Sequence, residues 1–268
     1  MPARILITRP APEAAHWVAA LQRRGLLAQA LPLIQISPPS DAASVAALQQ
    51  AQQALASYQA IMLVSGQAAR FFASASVVAA FQALAASDTA PRWWAPGPGT
   101  ARTLQQCGLP AHCIDQPAAE ASQFDSEALW QRVESQIQPG NRVLIVRGRD
   151  GTAPQPEGHG RDWLAQQLQR AGAQVDKVVA YQRQAAQFSD AQRALAQQAA
   201  SDGTLWLLSS SQAIANLQAQ LPAQSWQPAR ALTTHPRITA AAQAAGFGTV
   251  TECRPTLEDV AISIESML

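Results

Sequence analysis

Arg9 and Arg147 close two β-rich runs, Ile5-Leu6-Ile7-Thr8-Arg9-Pro10 and Val143-Leu144-Ile145-Val146-Arg147-Gly148. An arginine at the end of such a strand is placed to meet an anionic ligand, a solvated surface role being the alternative. Four further turns lead from an apolar run into a helical one: Ser65-Gly66-Gln67, Gly97-Pro98-Gly99-Thr100, Ser210-Ser211-Gln212 and His235-Pro236-Arg237. Proline suits a first helical turn, and the free N–H groups there can bind carboxylate or phosphate. The competing reading is that each serine caps its own helix, worth about 1 kcal/mol. Tyr181 lies in the extended run Val178-Val179-Ala180-Tyr181-Gln182-Arg183-Gln184, where a phenol could give a proton to a leaving oxygen or simply pack. Tyr58 precedes an apolar strand and reads as packing. His16, His112, His159 and His235 show no metal-ligand spacing, and His235 beside Pro236 reads as a helix-entry residue. Dinucleotide, P-loop and nucleophile-elbow signatures are missing. The chemistry on offer is anion binding by arginines and helix ends, with one weak acid.

These residues recur because the chain repeats itself. The runs ending at Arg9 and Arg147 are each followed by a helical stretch, closing on Leu21-Gln22-Arg23-Arg24-Gly25 and on Leu168-Gln169-Arg170-Ala171-Gly172. Ile61-Met62-Leu63-Val64-Ser65-Gly66-Gln67-Ala68 is likewise echoed by Trp206-Leu207-Leu208-Ser209-Ser210-Ser211-Gln212-Ala213. A period this long is a duplicated α/β unit and not a solenoid. A cleft between two such units is a favoured place to enclose a small molecule.

Short β-rich runs alternate with Ala/Gln/Leu stretches of helical period, predicting parallel sheets covered by helices on both faces. Strands are expected near 4–9, 27–31, 60–64, 92–95, 111–114, 142–147, 174–178, 204–208, 229–233 and 248–252. Gly25, Gly108, Gly172 and Gly246 stand where left-handed helix ends are wanted. The extended segments at about 32–39 and 178–184 occupy equivalent places and read as paired connectors. If both cross the same gap, residues 1–36 and 184–268 form one discontinuous domain and 39–177 an inserted one, so that repeat and domain do not coincide. The Gly/Pro-rich stretch 151–160 has no counterpart in the first copy; it reads as a surface insertion or as a lid.

A formal net charge of +1 with 14% charged residues argues against a nucleic-acid partner. Lys177 is the single lysine among 19 basic residues, which reads as a compositional bias of the genome, so only an arginine's position is informative. Cys107, Cys113 and Cys253 are odd in number and lack a C-x-x-C spacing, predicting neither disulfides nor a zinc site and a reducing, cytoplasmic setting. No apolar run approaches the roughly 18 residues of a membrane span, and no signal peptide is expected before the first strand. A monomer without membrane attachment is the expectation.

Taken in order, I-L-I-T-R-P, S-G-Q-A, V-L-I-V-R-G, V-V-A-Y-Q-R, S-S-S-Q-A and H-P-R-I followed by A-A-G-F resemble the uroporphyrinogen-III synthase family, over nearly the whole chain. The resemblance implies two flavodoxin-like or Rossmann-like domains with parallel sheets, joined by a two-stranded connector, with the active-site cleft between them. It implies no cofactor and no metal. The substrate would be hydroxymethylbilane, dehydrated and cyclised with inversion of its last ring through a spiro-pyrrolenine, in tetrapyrrole biosynthesis. Transient contact with the preceding enzyme of the pathway is a further expectation. Carried over, Tyr181 would help the hydroxyl leave. Ser65, Gly66, Gln67, Thr100, Ser210, Ser211, Gln212, His235, Pro236 and Arg237 would meet the carboxylates, with Arg9 and Arg147 adding charge. The insertion after Arg149 and the uncharged Gly97-Pro98-Gly99 depart from the family pattern. Two other classes stay open: a noncatalytic tetrapyrrole- or anion-binding module, and an enzyme acting on a phosphorylated metabolite through the same helix ends.

Overall fold

The computed structural model describes residues 4–87, 89–118, 125–150 and 159–267. The chain forms two compact units, Met1–Ile36 with Gln184–Leu268, and Ser37–Arg183. The first unit starts with β1 (Ile5–Ile7), α1 (Ala11–Gln22) and β2 (Ala28–Ala30), after which β3 (Ile34–Ser37) leads into the second. That unit holds α2 (Ala42–Gln53), β4 (Ala60–Leu63), α3 (Gly66–Phe72), α4 (Ala75–Ala85), β5 (Arg92–Trp94) and α5 (Pro98–Gln106). It continues with β6 (Ile114–Asp115), α6 (Ser126–Val133), β7 (Arg142–Asp150) and α7 (His159–Arg170). The return strand β8 (Gln174–Ala185) precedes α8 (Asp190–Ala199), β9 (Leu205–Leu208), α9 (Ser211–Gln220), β10 (Arg230–Thr233), α10 (Pro236–Ala244), β11 (Thr249–Glu252) and α11 (Leu257–Met267).

One sheet has the order β11-β10-β9-β1-β2 and the other β3-β8-β7-β4-β5-β6. The pairs β1 with β2 and β9, and β10 with β9 and β11, are parallel, as are β4 with β5 and β7, β5 with β6, and β7 with β8. Strand order reverses at β1/β9 in one sheet and at β4/β7 in the other, and such switch points open a crevice at the carboxyl ends of the strands.

Both faces of these sheets are covered, which is why Ala60-Ile61-Met62-Leu63 and Leu205-Trp206-Leu207-Leu208 are buried without alternation. In the first unit, Leu6, Trp206 and Ala231 pack with Ala196, Ile214 and Ile238 of α8, α9 and α10. Ile5, Ile7 and Leu205 point the other way, onto Trp17 and Leu21 of α1 and Val260 and Ile264 of α11. In the second unit, Met62, Trp94 and Ile145 meet Leu129 of α6 and Leu164 of α7. Trp93 meets Phe72 and Phe81 edge-on, with centroids at 6.2 Å and 5.6 Å. The four glycines expected to end helices have φ of 79°, 104°, 84° and 92°.

One expectation is corrected. At 111–114, Pro110 opens a 3-10 turn over Ala111–Cys113, and only Ile114–Asp115 pairs, with Trp93 and Trp94. The segments expected to be paired connectors are paired strands: β8 continues without a break alongside β7 as far as Arg183, since extended backbone beside an open strand satisfies its N–H and C=O groups there. For the same reason 34–37 forms a strand hydrogen-bonded to β8. Of the loop 151–160, residues 151–158 lie outside the described residues, while His159 and Gly160 begin α7.

Candidate active site

Four strand-to-helix turns share one local geometry. The residue before each helix is fully extended, with φ of −164° at Ser65, −173° at Gly97, −158° at Ser210 and −168° at His235. All four lie at the carboxyl ends of parallel strands, so each helix presents its unpaired N–H groups and positive dipole end at that edge. Ser65 Oγ accepts from Ala68 N–H at 3.2 Å and Ser210 Oγ from Ala213 N–H at 3.4 Å, so both serines are caps. His235 caps in a different way, its Nδ1 accepting from Arg237 N–H at 3.0 Å. Pro236 and the Arg237 side chain are exposed.

Other expected residues are already engaged. Thr100 is only 8% exposed, and its N–H bonds Gly97 O at 3.2 Å. Gln212 Nε2 donates to Asn216 Oδ1 at 3.0 Å, while the buried Ser211 Oγ atom has no partner among the described residues. Arg9 lies 4.2 Å over the Trp17 ring and pairs with Glu13 at 3.3 Å, turning its charge onto α1. Gly66 brings α3 close to α5: a methyl group there would sit 2.9 Å from Thr103 Oγ1. Gln67 is half-buried beside it. The half-buried Arg147 has no side-chain hydrogen bond or ion pair among the described residues.

Tyr181 differs from its expected setting in having no exposed surface. The β7/β8 register slips between Arg147 and Gly148, so that Arg147 faces Val179 but Gly148 faces Tyr181. Such a bulge re-aims a side chain. The tyrosine ring lies over the glycine, where a methyl group would come within 2.2 Å of Tyr181 Cζ. On the phenol, Arg183 Nη2 donates to Oη at 2.9 Å, and Ser65 Oγ is 3.1 Å away. Phe71 stacks at 6.0 Å. Arg183 also faces Asp150 at 3.8 Å, and Arg149 pairs with Asp41 at 2.6 Å.

The structure thus brings together Ser65 and Tyr181 in one unit, and places Ser210 and His235 just after the adjacent strands β9 and β10 of the other. Sequence reasoning missed Arg183, Gly148 and Phe71. Two signals could have found the first pair: residues 181 and 183 share one face of a strand, and a glycine inside a strand marks a close approach. Among the described residues no group of three or more His, Cys, Asp and Glu side chains gathers to hold a metal. Nor among the described residues is any single helix long and apolar enough to cross a membrane.

The same architecture occurs in solved structures. A uroporphyrinogen III synthase mutant from the extremely thermophilic bacterium Thermus thermophilus matches at 15% identity and a TM-score of 0.50, over 99% of this chain and 98% of that one. The uroporphyrinogen-III synthetase of Helicobacter pylori matches at 14% identity and a TM-score of 0.52, over 90% of this chain and 92% of that one. At these identities the likeness is one of fold. The family model for uroporphyrinogen-III synthase HemD matches residues 15–261, and with that span taking in both units, the chain belongs to the uroporphyrinogen-III synthase family.

Proposed function

We propose that this chain converts hydroxymethylbilane to uroporphyrinogen III, closing the linear tetrapyrrole with loss of water and inversion of its last ring. The family match across residues 15–261 carries this reading. Loss of the hydroxyl leaves an electrophilic azafulvene stabilised by its own pyrrole nitrogen, and the free bilane closes unaided to the uninverted isomer. Control of shape is therefore the larger task. Holding the substituted carbon of the last ring against the azafulvene favours a spiro-pyrrolenine, and such positioning supplies roughly 7–11 kcal/mol. Fragmentation and reclosure then invert the ring.

The substrate's carboxylates meet the helix ends at Ser65, Gly97–Thr100, Ser210 and His235–Arg237, with Gly66, Gln67, Ser211, Gln212 and Arg147 beside them, while Arg9 is held on α1 by Trp17 and Glu13. Backbone N–H groups suit this role because they are donors whose caps already fix their direction. Tyr181 supplies the proton with which the hydroxyl departs as water, and the proton released on final ring closure restores it. The protein works as a monomer in the cytosol, in passing contact with the enzyme that makes its unstable substrate. The free thiols Cys107, Cys113 and Cys253 support a reducing compartment.

The test is to supply freshly made hydroxymethylbilane, oxidise the products and separate the type I and type III uroporphyrin isomers. Type III in excess over the protein-free control is expected. Type I alone from folded protein would sink the reading and leave a noncatalytic anion-binding module.

A further inference from the structure

Tyr181 is buried, yet its hydroxyl belongs to a chain of hydrogen bonds with a definite direction. An arginine has only donors, so at the 2.9 Å contact Arg183 gives and the phenol oxygen accepts. The phenol's own hydrogen then needs an acceptor, since a buried O–H left unpaired is costly. Among the described residues, Ser65 Oγ at 3.1 Å is the oxygen in reach. Ser65 Oγ also accepts from Ala68 N–H at 3.2 Å. With both its lone pairs engaged, its own hydrogen has no acceptor among the described residues. Ser65, unlike Tyr181, is half-exposed, and it stands at the strand-order reversal where β4 meets β7.

We propose that the Ser65 hydroxyl hands the proton to the departing substrate hydroxyl, with Tyr181 behind it as the reservoir and Arg183 fixing the direction of transfer. The inference rests on the synthase reading above. In the step, the substrate C–O bond breaks and its electron pair leaves with oxygen, which takes the Ser65 proton and departs as water. The Tyr181 proton moves to Ser65, and the resulting phenolate rests against the Arg183 guanidinium. The proton lost from the reacting ring carbon at final closure returns by the same path, so the enzyme ends as it began. Ser65 is the catalytic group that touches the reacting atoms; Arg183 is a positioning residue.

The experiment uses the full chain with hydroxymethylbilane. Wild-type protein that gives no excess of the type III isomer removes the synthase reading and the relay with it; variants of an active wild type test the relay alone. Ser65→Gly loses the hydroxyl but keeps a tolerated helix cap, and Ser65→Asn is a second hydroxyl-free variant should the first misfold. Ser65→Gly and Tyr181→Phe are each expected to lower kcat by about 100-fold or more. KM should stay within about threefold, and the double variant should be no slower than the slower single one. Arg183→Gln should lower kcat, and Arg183→Lys, which still donates, should recover part of it. Ser65→Thr should stay active. A Ser65→Gly enzyme that keeps its kcat while Tyr181→Phe loses it would show the phenol acting directly and overturn the proposal. So would single losses that multiply in the double variant, or an Arg183→Gln enzyme with unchanged kcat.

Discussion

Gly148 and Tyr181 form a pair in which one side chain fills the space the other lacks. A methyl group at 148 would meet the ring at 2.2–2.7 Å, too close for either to stay in place. Gly148→Ala is therefore expected to cost about 1–3 kcal/mol, as overpacking does, and to lower kcat by displacing the phenol from Ser65. Denaturant midpoints and the isomer assay measure the two effects separately. The arginines that look equivalent in sequence part company here. Arg147, without a side-chain partner among the described residues, should show a raised KM and an unchanged melting temperature on replacement by alanine. Arg9, held over Trp17 and paired with Glu13, should instead lose about 1 kcal/mol of stability when replaced. Thermal melts and initial rates on both variants check the contrast. Sequence could not separate the two, because each closes a similar apolar run; in the structure Arg9 follows β1, whereas Arg147 lies inside β7, which runs on to Asp150.

At the level of elements, the β-rich and helical periods locate the alternation well, since parallel strands buried on both faces are short apolar runs whose ends are marked by serine, proline and glycine. Strand β8 runs further than its apolar run for a physical reason: Arg183 and Gln184 at its end are polar and only partly buried, so nothing in their composition shows that β7 runs beside the strand as far as Asp150. Arg183 could be weighed only once Tyr181, two residues before it on the same strand, was known to bury its hydroxyl. The N-terminus of α2 carries a pH-dependent contribution. Asp41 accepts from Ser44 N–H at 2.8 Å, and this bond together with Arg149 holds its carboxyl at about 2, below the usual 3.8. A depressed pKa contributes stability that is fully present above the unfolded value and lost as pH falls through the folded one. Asp41→Asn keeps the cap and loses the charge, so its deficit against wild type should be constant above about pH 4 and vanish towards pH 2. Unfolding midpoints across that range test it.

For the molecule as a whole, the duplicated sequence and the two units are built from the same pieces in different combinations. The second copy opens with β7, α7 and β8 in the unit Ser37–Arg183, and its continuation from β9 onward completes the other. The repeat was legible because strand and turn motifs recur in order, whereas the side-chain contacts of the site were not, since they arise from packing. A ligand that binds only the folded state raises its melting temperature by mass action. The cyclised product, rich in carboxylates, should do so in a concentration-dependent way, and added salt should reduce the shift because charges near the surface are screened. A salt-independent shift, read by calorimetry, would point to apolar contacts instead.

The same arrangement sets an order on biosynthesis. Strand β1 pairs with β9, and Arg4 bonds Thr204 across 200 positions of sequence. At ribosomal rates of about 5–20 residues per second, the first strand waits roughly 10–40 s for that neighbour. During that interval the inserted unit, contiguous in the chain, can emerge whole and close, while Ile5, Leu6 and Ile7 lack their β9 neighbours. The nascent β1 segment is thus the stretch that a chaperone would have to shield, and slow translation would lengthen its exposure.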